Sequence, residues 1–136
     1  MTATTTLIVD GANVVGSVPD GWWHDRRGAA ERLRDGLVAY AGSGLPGIAD
    51  PPVELVLVVE GAARGVPGVE GVRVESADGS GDDRIVELVA GLPAGRPCVV
   101  VTADRGLRAR VEALGAQVTG PRSVRPAGTG GRAYRG

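Results

Sequence analysis

Short apolar runs alternate with helical patterns of apolar residues along most of this chain. Continuous apolar runs are typical of strands covered on both faces, whereas strict alternation is typical of a less covered edge strand. By these criteria the predicted strands are "TTLIVD", "VELVLVVEG", the alternating "VRVESA", "CVVVTAD" and "AQVTG". Apolar residues at helical spacing predict helices in "HDRRGAAERLRDGLVAYAG", "DDRIVELVAGL" and "RGLRARVEALG".

Strands that alternate with helices predict right-handed βαβ units and a parallel sheet with helices on both sides. We therefore expect an α/β fold, a three-layer αβα sandwich around a mainly parallel central sheet of about five strands. With 136 residues, 43% of them hydrophobic, the chain has the size of one domain. We expect this domain to occupy residues 1–121 and the Arg/Gly-rich residues 122–136 to form a flexible tail or an arm that orders on a partner.

Charge is spread unevenly along the chain. All 15 basic residues are arginine, and residues 122–136 hold four of them and no acid, which leaves 11 basic against 16 acidic residues in the body. A polyanion would therefore approach through the tail, through a local arginine cluster or through bound cations. No apolar run is long enough to span a bilayer and no signal-peptide pattern begins the chain, so we expect a cytoplasmic protein without a membrane partner. The single cysteine, Cys98, excludes an intrachain disulfide and is expected to be buried.

Acidic residues follow the predicted strands at the end of the sheet where ligands bind in parallel α/β folds. Asp10 and Asp104 end two apolar strands, and the first turn of the helix in "GSGDDRIVELV" begins at the same end. Asp82 falls on the apolar stripe of that helix and is preferred over Asp83 as the third acid. Glu60 ends another strand and is a candidate outer ligand.

Carboxylates crowded together repel one another, by about 3 kcal/mol per pair at roughly 5 Å and an effective dielectric of ~20. A shared proton or a divalent cation would offset that repulsion, and oxygen ligands without His or Cys favour Mg²⁺ or Mn²⁺. Asn13, one turn after Asp10, is expected to orient a carboxylate or a metal-bound water through its amide. The structural alternatives are that Asp10 is a turn residue and that Asp104, Asp82 or Asp83 is only a helix N-cap.

Three segments in this order, "LIVDGANVVGS", "GSGDDRIVELV" and "VVTADRGLRARVEALGAQV", resemble the NYN domains of the PIN-like nuclease superfamily, especially their YacP-like members. The resemblance covers roughly residues 5 to 120. It implies a PIN-like fold and a metal-dependent ribonuclease, with Asp10, Asp82 and Asp104 as the acidic cluster and Asn13 beside it. It also matches Thr102 to a hydroxyl residue before the last aspartate. Gly106 departs from the pattern, because many NYN proteins carry an acid there.

The activity implied is hydrolysis of an RNA phosphodiester by in-line attack of a metal-activated water, with Mg²⁺ or Mn²⁺ as cofactor. Residues expected to contact substrate are Thr102, Arg105 and Arg108, although the two arginines also fit a solvated helix face. The partner would be RNA, single-stranded or structured, and a homodimer is left open. The alternative function is an RNA-binding or interaction module that keeps the fold and lacks efficient catalysis.

The segment "PDGWWHDR" holds both tryptophans and the single histidine. Trp22 and Trp23 either stack on an unpaired base or form a half-buried lid on the first helix. His24 has no partners for a metal site and is not predicted to be catalytic. Other phosphate-handling folds are excluded by missing residues: there is no lysine for a P-loop or a receiver domain, and no Asp-x-Asp for a haloacid dehalogenase.

Overall fold

Five parallel strands form the central sheet, and the predicted α/β fold class is confirmed. The computed structural model describes residues 4–18 and 21–124. The strands are β1 (Thr5–Asp10), β2 (Val53–Val59), β3 (Val72–Ser76), β4 (Cys98–Val101) and β5 (Gln117–Thr119), in the order β3-β2-β1-β4-β5. The helices are α1 (Gly11–Gly16), α2 (Arg26–Ser43), α3 (Gly81–Ala90) and α4 (Arg105–Glu112). Short 3₁₀ turns cover Trp22–His24, Gly61–Ala63 and Pro121–Ser123.

The sheet separates two apolar cores, because successive residues of a strand point to opposite faces. Leu7 and Val9 of β1 belong to the first core, which is covered by α1 and α2. Ile8 belongs to the second core, which is covered by α3 and α4. Since β1 and β2 are buried on both sides, their central positions Leu7–Val9 and Leu55–Val59 are all apolar, and this explains the continuous runs in the sequence.

The strand β1 leads directly into a short helix that was not among the predicted elements. The helix α1 is only six residues long, and the carboxylate of Asp10 caps its start by accepting a hydrogen bond from the backbone N–H of Asn13. Gly11 is required here for close packing, since a Cβ at this position would lie 2.6 Å from the carbonyl oxygen of Val58. Its φ is not positive, so glycine is needed here for space and not for its backbone conformation.

Cys98 and Val124 both belong to the packed interior. Cys98 is buried as predicted, and burial raises the pKa of its thiol to about 11. Val124 is 1% exposed and packs in the first core, so the packed region continues past residue 121 to at least residue 124. The rest of the predicted tail, residues 125–136, lies outside the described residues. No helix in the described part of the chain is long and apolar enough to cross a bilayer.

Candidate active site

Asp10 ends the central strand β1 and is the most buried acid at the carboxyl end of the sheet. Only 4% of it is exposed, because β1 is flanked by strands on both sides. Burial to this extent is unusual for a residue with an ionisable side chain. The pKa of Asp10 is raised to about 6, mainly by burial and also by the nearby charges of Asp82 and Glu60. Hydrogen bonds from Thr102 and from the backbone of Asn13 oppose that rise. A carboxylate held in this way is a recurrent feature of functional sites.

Thr102 joins two of the predicted site residues. Its hydroxyl donates to Asp10 Oδ2 at 2.8 Å and accepts a hydrogen bond from the backbone N–H of Asp104 at 3.1 Å. It follows β4, and its own N–H donates to the carbonyl of Thr119 in β5. Because Thr102 is 0% exposed, it has no surface with which to touch a substrate, and its predicted role in substrate binding is wrong. It positions Asp10 instead.

Asn13 connects α1 to the loop that follows β4. Its side-chain Oδ1 accepts a hydrogen bond from the backbone N–H of Ala103 at 2.9 Å. Among the residues described, its Nδ2 group donates to none, so it remains available to a ligand. The Asn13 side chain therefore holds the loop that carries Asp104 and no carboxylate, and Asp10 is contacted only by the Asn13 backbone.

Asp104 caps the helix α4, as the structural alternative predicted. Its Oδ1 accepts a hydrogen bond from the backbone N–H of Leu107 at 2.9 Å. This contact uses one carboxylate oxygen and leaves the other free to bind a ligand. The charge of Asp104 reaches Asp82, whose pKa it raises. The N-cap role and a role in the site are therefore compatible.

Asp82 and Asp83 occupy different environments although they are adjacent in α3. Asp82 is half-buried, and its pKa is raised by burial, by Asp104 and by Glu60, while Arg110 lowers it. The Asp83 side chain is 68% exposed and forms an ion pair with Arg110 at 3.1 Å. Ser80 caps α3, so neither aspartate is its N-cap. Of the two, Asp82 is the one that lies within the electrostatic field of the other site acids.

Glu60, predicted as an outer ligand, lies close enough to Asp10 and Asp82 for its charge to act on both. Its Oε1 accepts a hydrogen bond from the backbone N–H of Gly81, the first residue of α3, at 2.7 Å. Its charge raises the pKa of both Asp10 and Asp82. The available sequence signal was the same as for Asp10, an acid directly after a buried strand.

Four carboxylates thus share the carboxyl end of the sheet without an ion pair to any described residue. Within residues 4–18 and 21–124, none of Asp10, Glu60, Asp82 and Asp104 forms an ion pair. We call these four residues the acidic group. Their hydrogen-bond partners are one hydroxyl and backbone N–H groups, all of them neutral.

The acidic group has the donor chemistry of a hard-cation site, but its side chains do not converge into one. Carboxylate oxygens without His or Cys suit Mg²⁺ or Mn²⁺. Over the described part of the chain, however, no three His, Cys, Asp or Glu side chains are arranged to hold a metal ion. Cation binding at this place would require carboxylates to turn toward one another.

Arg105 and Arg108 lie at the start of α4, directly after Asp104. Both are exposed, and neither forms an ion pair with a described residue. Most other arginines in the same ranges contact an acid, for example Arg84 with Glu75 at 2.8 Å. Two unpaired guanidinium groups next to the acidic group are well placed to contact an anion, and they equally fit a solvated helix face.

Neither a family model nor a curated protein sequence matches this chain. Among solved structures, it is similar to Rae1 (YacP) from Bacillus subtilis, crystallised as a single-substitution mutant, with a TM-score of 0.67. The alignment covers 89% of this chain and 72% of the Rae1 chain, at 19% sequence identity. At this identity the likeness shows the fold alone, and the fold of this chain is YacP-like.

Proposed function

We propose that this chain is a divalent-cation-dependent ribonuclease of the YacP-like branch of the NYN domains, and that it hydrolyses RNA phosphodiester bonds at the carboxyl end of its sheet. The observation that carries the proposal is the acidic group, four carboxylates gathered at one end of a parallel sheet with no ion-pair partner in the described residues. The YacP-like fold supports it.

The residues divide into ligands and positioning groups. Asp10, Asp82 and Asp104 would hold Mg²⁺ or Mn²⁺, with Glu60 as an additional acid. Asp104 and Glu60 each use one carboxylate oxygen in a hydrogen bond, and each oxygen of Asp10 accepts a single hydrogen bond, so all of them keep lone pairs for an ion. Such an ion, when bound, supplies a Lewis acid that stabilises charge on phosphorus oxygens. Thr102 fixes the carboxylate of Asp10 and Asn13 fixes the loop before Asp104.

Substrate phosphates would be held by the unpaired arginines. Arg105 and Arg108 begin the helix that Asp104 caps, so a phosphate between them and the acidic group is within reach of both. The guanidinium groups would offset the repulsion between the acidic body and the RNA, a role for which arginine is well suited. In this arrangement the start of α4 would bind the anionic phosphate, and the strand ends together with the start of α3 would bind the cation.

A second function is favoured by one specific observation. Because the described acids are not arranged to hold a metal ion, the chain also fits an RNA-binding module with little or no catalysis. In that case Arg105 and Arg108 would bind RNA, and the acidic group would remain protonated in part, as the raised pKa of Asp10 allows.

Cleavage of an end-labelled single-stranded RNA separates the two functions. If the chain is a ribonuclease, we expect defined cleavage products in Mn²⁺ that are absent in EDTA and absent with the Asp104→Asn variant. If it is a binding module, we expect the RNA to stay intact under all three conditions and to migrate more slowly in a native gel because it is bound. Asp83→Asn is the matched control, because Asp83 is exposed, paired with Arg110 and outside the acidic group.

A further inference from the structure

Trp23 is the most exposed large apolar side chain in the described part of the molecule. It is 52% exposed, and it belongs to neither core cluster. Its ring lies 5.4 Å from the ring of His24, at an interplanar angle of 42°. A single exposed apolar residue is common on protein surfaces, so exposure alone assigns no role. The position of Trp23 in the fold supplies the further argument.

The turn that carries Trp23 lies at the carboxyl end of the sheet. It covers Trp22–His24 and directly precedes α2, which runs back toward the amino ends of the strands. The side chain of Arg27, in the first turn of α2, donates to the carbonyls of Arg64 and Gly65 at 3.0 and 3.3 Å. Those carbonyls follow β2, so the start of α2 lies beside the strand end that carries Glu60.

Trp23 and the unpaired arginines lie on opposite sides of the acidic group. The helix α2 covers the first core and α4 covers the second, with the sheet between them. Trp23 precedes the start of α2, and Arg105 begins α4, so both are at the carboxyl end but on different faces. A strand of nucleic acid laid across this end would contact arginine on one side, pass the acids and reach the indole on the other.

We propose that Trp23 is a stacking platform for an unpaired base of the bound RNA. This inference rests on the proposed function. An aromatic ring stacks on any base and needs no charge, so the contact is not weakened by the acids that repel the phosphates. A base inside a duplex is already stacked, and the platform would discriminate against it. The ring of His24 supports the indole from beside it.

Binding of a short fluorescently labelled oligoribonucleotide in EDTA tests the proposal without cleavage. Loss of one stacked base weakens binding by roughly 5- to 150-fold, which we expect for Trp23→Ser. Trp23→Phe, which keeps a ring, should retain most of the affinity. The matched control is Val38→Ser, because Val38 is another exposed apolar residue but lies well along α2, away from the turn. A duplex of the same sequence should bind more weakly than the single strand.

The outcomes separate this inference from the function on which it rests. The platform is supported if Trp23→Ser weakens RNA binding without changing its salt dependence. The Arg105→Ala Arg108→Ala double variant should instead make the salt dependence of binding flatter. Wild-type affinity in Trp23→Ser, with weakened binding in the double variant, overturns the platform and leaves the proposed function intact. Equal binding of duplex and single strand also overturns it. No RNA binding by the wild-type chain overturns both proposals.

Discussion

The two ends of the same parallel sheet treat their acidic residues in opposite ways. At the amino end, Glu54 in β2 lies 3.5 Å from Arg96 and 3.6 Å from Arg73, and Arg96 also donates to the hydroxyl of Thr6. At the carboxyl end, no member of the acidic group forms an ion pair with a described residue. The chain has 15 arginines, so a lack of positive charge does not explain the difference.

This difference supports the proposal that the functional site lies at the carboxyl end of the sheet. Exposed ion pairs such as those of Glu54 stabilise a protein little, by about 0–1 kcal/mol, but they remove unbalanced charge. Burying Asp10 among other acids does the reverse, because its ionised form is destabilised at neutral pH. Proteins commonly accept such a cost where a charged group is needed for binding or catalysis.

The largest effect is expected from removing charge at the carboxyl end. Asp10→Asn and Asp104→Asn should each lower the rate of Mn²⁺-dependent RNA cleavage by about 100-fold or more, since each removes a group that stabilises the reacting charge. Glu54→Gln removes a carboxylate at the amino end and should leave the rate unchanged. Initial rates on a labelled single-stranded RNA measure all three. A comparable loss in Glu54→Gln would show that the two ends do not differ in function.

Asp10→Asn should also reveal the cost of the buried charge. Native Asp10 keeps its proton up to a pKa of about 6, whereas the unfolded chain releases it near the ordinary aspartate pKa of 3.8. Between these values the native state binds more protons, so this residue lowers the free energy of unfolding as pH rises. In EDTA at pH 8, the variant should be more stable than wild type by up to about 3 kcal/mol, and near pH 4 the two should be equal. Urea unfolding across this pH range checks it. A variant less stable than wild type at pH 8 would contradict the account.

Thr102→Val tests the hydroxyl that holds Asp10. The substitution removes the donor to Asp10 Oδ2, so the pKa of Asp10 should rise further and stability at pH 8 should fall by about 1–2 kcal/mol. The loss should be smaller near pH 4, where Asp10 is protonated. Thr6→Val is the control, because Thr6 is a buried threonine at the amino end whose hydroxyl contacts Arg96. Unfolding measurements with equal losses at both pH values for Thr102→Val would exclude the proposed contact.

The smallest effect is expected from Gly81→Ala, which tests whether Glu60 contributes to the cation site. A Cβ at residue 81 would lie 2.5 Å from Glu60 Oε1, so the carboxylate must move. We expect Mn²⁺ affinity to fall by about 10-fold, as for other groups that orient a metal site, with little change in stability. Gly79→Ala adds a methyl group where no atom lies within 4 Å and should change neither quantity. Calorimetric titration of both variants makes the comparison, and equal affinities would remove Glu60 from the site.

Much of the fold could be predicted because its signals are long. The strands β1, β2 and β4 are buried on both faces, so their apolar runs are continuous, and α2, α3 and α4 are long enough to show periodicity. The helix α1 could not be predicted, because six residues contain too little periodicity to identify. Its existence depends on tertiary packing against β2, which the sequence does not display.

The site was less predictable than the fold. Strand ends identified Asp10 and Asp104, and the apolar stripe of α3 favoured Asp82 over its exposed neighbour Asp83. The role of Thr102 depends on burial and on the direction of one hydroxyl, and neither is encoded in residue spacing. The hydrogen bond from Gly81 to Glu60 could not be predicted, because it brings together residues from different βα units.

Calorimetric titration of the chain with Mn²⁺ tests most directly whether the acidic group is a cation site. We predict a single saturable site in the wild-type protein, lost in Asp82→Asn and retained in Asp83→Asn, with affinity that rises with pH through about 6 as Asp10 ionises. The absence of Mn²⁺ binding by the wild-type protein, or equal binding by both variants, would contradict the proposal.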